Sequence, residues 1–162
     1  MSVENVVTAI EHRRARLDLS LNAILGLIAL QFFLGMWLNL FGKFPMGSGG
    51  LGSALTFTSD PILIAHIVLA IILGLGSIAL VIRSWSDPLR SVRWFSVGGF
   101  VGLAFASITG SGFVTTGYSS GVDSFLMAVG FAIALTAYYE GLVRLRADRL
   151  VRSQAMTSPM PS

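Results

Sequence analysis

The sequence predicts an all-α membrane protein, a bundle of four transmembrane helices, on three observations. Hydrophobic residues fill 54% of the 162 positions and charged residues 12%, with a mean hydropathy of +0.77, well outside the averages of soluble domains. The apolar residues gather into four runs of roughly 20 residues, and at about 1.5 Å of helical rise per residue each can cross a hydrocarbon core of roughly 30 Å. The 11 Lys and Arg residues sit at the ends of those runs and are shared unequally. Arg13, Arg14 and Arg16 precede the first run, Arg83, Arg90 and Arg93 lie between the second and third, and Arg144, Arg146, Arg149 and Arg152 follow the fourth. Lys43 alone falls in the other compartment. By the positive-inside rule both termini are cytoplasmic (N-in, C-in), and the cell membrane is the expected location.

Composition also excludes chemistry. Cysteine is absent, which removes disulfides, thiolate nucleophiles, Cys-held iron–sulfur clusters and covalent c-type haem attachment. The net charge of +3 and pI near 10.0 do not point to nucleic acid, because the basic residues flank apolar spans instead of forming a soluble basic face.

Residues 1–18 form an N-terminal cytoplasmic segment. Val3, Val6, Val7 and Ile10 recur at helical spacing and suggest an amphipathic helix on the membrane surface, with a solvated tail as the alternative. His12-Arg13-Arg14-Ala15-Arg16 has the character of a signal-peptide n-region, but the apolar run after it is too long and lacks a convincing small-residue cleavage site. That run, 19–41, is therefore the first span. Within it Gln31, Gly35 and Asn39 recur every four residues, a polar and small stripe suited to another helix. The glycine-rich segment 42–60 opposes regular helix and could fold back as a cap. It is not a phosphate cradle, because no strand precedes it and no GK[ST] follows.

Asp60-Pro61 supplies an N-cap and a first-turn proline to the second span, 61–82. His66, Ala70, Gly74 and Ser77 share one face of that span, so the histidine points into the bundle. Asp87-Pro88 marks a turn between Trp85 and Trp94, two interfacial anchors. The third span, 94–113, carries Gly98, Gly102, Ala106 and Gly110 at four-residue spacing, a groove for a neighbouring backbone. Asp123 caps the fourth span, 123–143, which has its own small stripe at Ala128, Ala132 and Thr136. Near its end Tyr138 and Tyr139 read as interfacial anchors and Glu140 as a partner of Arg144. Residues 144–162 are a basic cytoplasmic end running into a disordered tail from Ser153. The gapless alignment of 60–66 with 123–129, matching at Asp, Leu and Ala, suggests two helical hairpins of common design.

His66 is the ionisable group that most needs an explanation, about 8 Å below the start of its helix by helical rise. It reads either as a haem-iron, metal or proton-relay group, or as a neutral side chain donating to a backbone carbonyl, Gln31 or Asn39. Serine nucleophiles have no base in the membrane, since His12 lies on the opposite side from His66, so enzymatic activity is not expected.

With His66 near the start of span two, Gln31-x-x-x-Gly35 in span one and Thr109-Gly110-Ser111-Gly112 closing span three, the region 19–143 distantly resembles one half of the haem A synthase family. That resemblance implies paired four-helix halves with haem-binding histidines near the outer face, and His66 as an axial ligand. Met127, at nearly the same depth as His66, or Met36 or a second copy's His66 would complete the iron. The sequence departs from the family pattern at Ile62, where a glutamate is usual, at Ile67, where an arginine is common, and in having no histidine in the other spans. The chain also resembles small four-span membrane proteins with a GMWLNL-type stretch, here Gly35 to Leu40, a likeness that implies no activity. The leading expectation is a non-catalytic subunit, assembly or accessory component that associates with itself or others through small-residue helix faces. Haem binding or handling is the alternative and a small transporter the weaker one.

Overall fold

The computed structural model describes residues 3–42, 61–87 and 89–157. Four helices account for nearly all of them: α1 (Val3–Phe41), α2 (Pro61–Trp85), α3 (Arg90–Thr115) and α4 (Gly121–Thr157). They run antiparallel in chain order and close a square in which each helix packs on the two adjacent to it and none on the one diagonal. Both described ends of the chain therefore lie at the same end of the bundle, called here the terminal end; the other is the distal end.

All four helices are long and apolar enough to cross a membrane, and at most 28% of the most apolar window of any of them is buried within the chain. Phe33, Leu75, Ile108 and Phe125, one from each helix, are 65–70% exposed. A surface of this kind is stable against lipid and not against water. The chain is a multi-pass membrane protein with a four-helix bundle, as its composition predicts.

The core fills the terminal half and the middle of the bundle. Leu17, Leu21, Ile24 and Ile28 form one buried stripe on α1, facing Leu73 and Leu80 of α2, Val92 and Leu103 of α3, and Tyr138, Leu142 and Leu145 of α4. The α3–α4 seam is the tightest. A Cβ built at Gly102 would lie 2.7 Å from the Ala134 nitrogen and 2.8 Å from the Gly130 carbonyl oxygen, and one at Gly130 would lie 2.8 Å from the Ala106 nitrogen. Gly98 faces the Ala137 methyl, and the Tyr138 ring fills the space over Gly99. The groove predicted on the third span exists, and α4 occupies it.

Polar groups tie the terminal end together. Arg14 of α1, 4% exposed, pairs with Asp87 of the α2–α3 link at 3.6 Å and with Asp148 of α4, which Arg152 also grips at 2.8 Å. Arg146 pairs with Asp18 at 2.9 Å and donates to Asn22 at 3.2 Å. Asp87 also accepts the Leu89 amide at 2.8 Å, the turn expected of an aspartate at this point. Arg93 lies 4.9 Å from the centre of the exposed Trp85 ring and donates to the Trp85 carbonyl.

Several local expectations change. The N-terminal segment continues into the first span as one helix, α1, which runs unbroken from Val3 to Phe41: no proline interrupts it, and Arg14 and Leu17 are buried. The N-cap of α4 is Ser120, whose hydroxyl accepts the Asp123 amide at 3.2 Å, which puts Asp123 in the first turn. Tyr138 is fully buried because Gly99 leaves room for its ring, whereas Tyr139 is 58% exposed, as an anchor would be. Among the described residues Glu140 forms no ion pair with the exposed Arg144. The α4 helix continues to Thr157, past the expected start of the tail, since nothing before Pro159 breaks it. The cap at Asp60 and the glycine-rich segment 43–60 lie outside the described residues.

Candidate functional site

The described residues do not fill the distal half of the bundle. Where α1 presents Gln31, Gly35 and Asn39 to the His66, Ala70, Gly74 and Ser77 face of α2, the small side chains leave a cavity of about 780 Å³ that all four helices line. Its walls are apolar and partly aromatic, with Phe32 from α1, Ile67 and Ile71 from α2, Phe100 from α3 and Phe131 from α4. A Cβ at Gly74 would meet nothing within 4 Å. Volume and lining fall within the range of small-molecule sites.

The polar part of the wall centres on Gln31 and His66. Gln31 is 1% exposed, and its side-chain amide nitrogen donates to the His66 carbonyl oxygen at 3.0 Å and lies 3.2 Å from His66 Nε2. The carbonyl fixes the amide, because only the NH2 end can face it favourably. The second amide hydrogen then falls on Nε2, which must be the bare acceptor, so the proton of the neutral ring resides on Nδ1. Among the described residues two buried atoms of this pair have no partner: Gln31 Oε1 and His66 Nδ1. Gly35 makes the arrangement fit, since its missing Cβ would lie 3.2 Å from His66 Cε1.

Three serines of the wall turn inward on their own helices. Ser77 donates to the Gly74 carbonyl, Ser107 to Leu103 and Ser111 to Ser107, each at 2.7–2.9 Å. Hydroxyls engaged in this way are neither aligned with His66 nor activated by it. Among the described residues no Lys, Arg, Asp or Glu lines the cavity.

Tyr118 closes one edge of it. α3 ends in a Schellman arrangement, in which the Tyr118 amide reaches the Phe113 carbonyl at 2.9 Å and the Gly117 amide reaches Val114 at 3.2 Å. Gly117 takes φ 69° and Tyr118 takes φ 61°, a left-handed conformation that costs a non-glycine residue about 1–2 kcal/mol. The turn buries the tyrosine ring edge-on against Phe113, with ring centres 5.7 Å apart.

The structure brings together Gln31, Gly35, Asn39, His66, Gly110 and Met127 around the cavity, with Ala106 at its inner edge. Gly98 and Gly102 belong instead to the α3–α4 seam. The aromatic wall, Tyr118 and Ser107 were not anticipated. Phe100, Ala104, Ser107 and Ser111 repeat at helical spacing beside the glycine stripe, a signal masked by the stronger glycine pattern; Gly117 was the signal for the turn that places Tyr118.

A haem does not fit these residues as they stand. Iron ligation needs a free imidazole lone pair, but Nε2 faces the Gln31 amide and the Nδ1–Cε1 edge lies against Gly35. The Met127 sulfur packs on Gly110, 3.2 Å from where a Cβ would stand there. Among the described residues no cluster of three or more His, Asp or Glu could hold a metal ion. Gln31 stands against His66, but with the Gln31 amide as the donor and not the histidine.

Comparison with family models, with curated proteins and with solved structures finds no match to this chain.

Proposed function

We propose that this chain is a non-catalytic component of the cell membrane that holds an apolar, membrane-dissolved molecule in the distal cavity, acting as a binding or accessory protein and not as an enzyme. The observation that carries the reading is the 780 Å³ cavity, lined by every helix and bounded by glycines that leave it open, beside a seam where glycines close the helices completely. Among the described residues its only ionisable side chains are His66 and Tyr118, and the hydroxyls of Ser77, Ser107 and Ser111 are engaged with backbone carbonyls, so the wall is suited to retaining a molecule and poorly equipped to transform one. The distribution of Lys and Arg supports cytoplasmic termini and a cavity in the outer leaflet. Lipid is the immediate partner; association with another protein would use faces other than the Gly98–Gly102 groove, which α4 fills.

The test is binding of a neutral apolar fluorescent probe to the purified chain in lipid nanodiscs. Saturable binding is expected, and Gly74→Phe, which fills the cavity from an open position, should abolish it while leaving helicity intact. Absence of saturable binding to the folded wild-type chain overturns the reading.

A further inference from the structure

We infer that the distal cavity is a slot for an acyl chain of a bilayer lipid, which enters sideways between the α1–α2 and α3–α4 hairpins while its head stays outside at the membrane surface; this rests on the cavity being a binding site. The openings follow from which wall residues are also exposed. Ile67, Ile71 and Ile78 of α2 line the cavity and are 42–58% exposed. They lie on the side of α2 turned away from Gly76, which faces Ile24 of α1, and so toward α3, the other helix that α2 packs on. On α3 the exposed wall residues are Ser107 and Ser111, turned away from the α4 seam at Gly102 and Ala106 and so toward α2.

The opposite side opens as well. Met36 stands about five turns along α1 from Asp18, and Ala128 about five turns along α4 from Arg146, so both lie in line with the Asp18–Arg146 pair that joins these helices at the terminal end. At the distal end that line is open: Met36 is 41% exposed, Ala128 is exposed, and both line the cavity. Among the described residues the hairpins are thus clamped at one end and parted at the other, with a gap to the bilayer on each side.

Shape and charge select the occupant. The wall runs from Leu63 to Ile78 along α2 and from Phe100 to Val114 along α3, about 21–22 Å on each by helical rise. This is a long slot parallel to the helices, the direction in which lipid chains lie, and it covers the depth of one leaflet, roughly half of a 30 Å core. Apolar space of about 780 Å³ that is open to lipid does not stay void, because unfilled walls forfeit dispersion contacts that a flexible chain restores. A charged head would meet no charged partner on the described wall, and it stays out.

The experiment places the full chain in phosphatidylcholine nanodiscs containing a trace of phosphatidylcholine with a diazirine at mid-chain, and locates the adducts by mass spectrometry after irradiation. Adducts are expected on the half-buried wall residues Phe100, Ala104 and Phe131, in addition to the outward-facing Ile108 and Phe125 that any surrounding lipid reaches. Gly74→Phe should abolish the wall adducts and leave Ile108 and Phe125 labelled as before, which also reports that the variant is folded. Adducts confined to outward-facing residues in the wild type, the pattern produced by a second copy or another part of the chain in the slot, overturn this inference and leave the cavity reading standing where the fluorescent probe binds. Absence of both wall adducts and probe binding removes both. The wild-type pattern does not depend on the variant folding.

Discussion

The two hairpins of this bundle are built from similar material and behave differently. Both pair long apolar helices in antiparallel fashion, and both carry small residues every three or four positions. Along α3 and α4 the small residues interlock: Gly102 and Ala106 sit against Gly130 and Ala134 so closely that backbone meets backbone. Along α1 and α2 the stripe of Ala70, Gly74 and Ser77 meets no matching stripe, and the pair is joined in its distal half by the Gln31–His66 contact with open space beside it. Small residues bring helices together only when the partner offers small residues at the same level. Otherwise they make a cavity.

The largest effect should come from breaking the closed seam. Gly102→Leu sets a side chain where the Ala134 nitrogen and Gly130 oxygen already stand, and backbone cannot rotate aside. It should destabilise the bundle by roughly 3 kcal/mol or more, read as loss of monodisperse protein or a large fall in Tm in mild detergent. A Tm near wild type would show that the seam is looser than described.

Next is the clamp that joins the hairpins to each other at the terminal end. Arg14→Ala strands the buried Asp87 carboxylate and releases Asp148, at a cost of about 3 kcal/mol by the precedent of broken buried pairs. Reversible unfolding in detergent should show it, and a change below 1 kcal/mol, a threshold at the level of exposed pairs, would mean the cluster is solvated.

The same clamp predicts a pH dependence. Burial works against ionisation of Asp148, five residues beyond the expected span end, but the hydrogen bonds and charges of Arg14 and Arg152 outweigh it and hold its carboxyl below the ordinary 3.8. Between the folded and unfolded pKa values the unfolded chain binds more protons, so this contribution is present above about pH 4 and is lost as pH falls through the lower folded value. Tm of the wild type should drop on acidification across that window, and Asp148→Asn should flatten part of the drop; parallel curves for the two proteins would refute the assignment.

Smaller effects belong to the open pair. Gln31→Met should cost on the order of 1 kcal/mol, the scale of one interhelical hydrogen bond in a membrane protein. Gly74→Ala meets nothing within 4 Å and should be neutral or stabilising by about 0.5–1 kcal/mol, through helix propensity alone. Comparing Gly74→Ala with Gly102→Ala is the sharpest test of the contrast between the pairs. A similar Tm change at both positions would erase it.

Much of the fold was legible because a bilayer makes hydropathy and charge placement decisive: four apolar runs with few charges have one stable solution as helices, and Pro61 marks where one of them starts. His66 and Gln31 were legible as site candidates because polar groups in such runs are costly and must meet something. Within one helix, spacing also told which residues share a face. What spacing could not tell is what stands opposite that face. Only the tertiary arrangement decided that Gly102 faces Gly130 while Gly74 faces empty space, that Tyr138 goes into the core while Tyr139 stays outside, and that Tyr118 turns back to edge the cavity. The physical reason is that packing depends on the register between two surfaces, and a sequence states each surface separately.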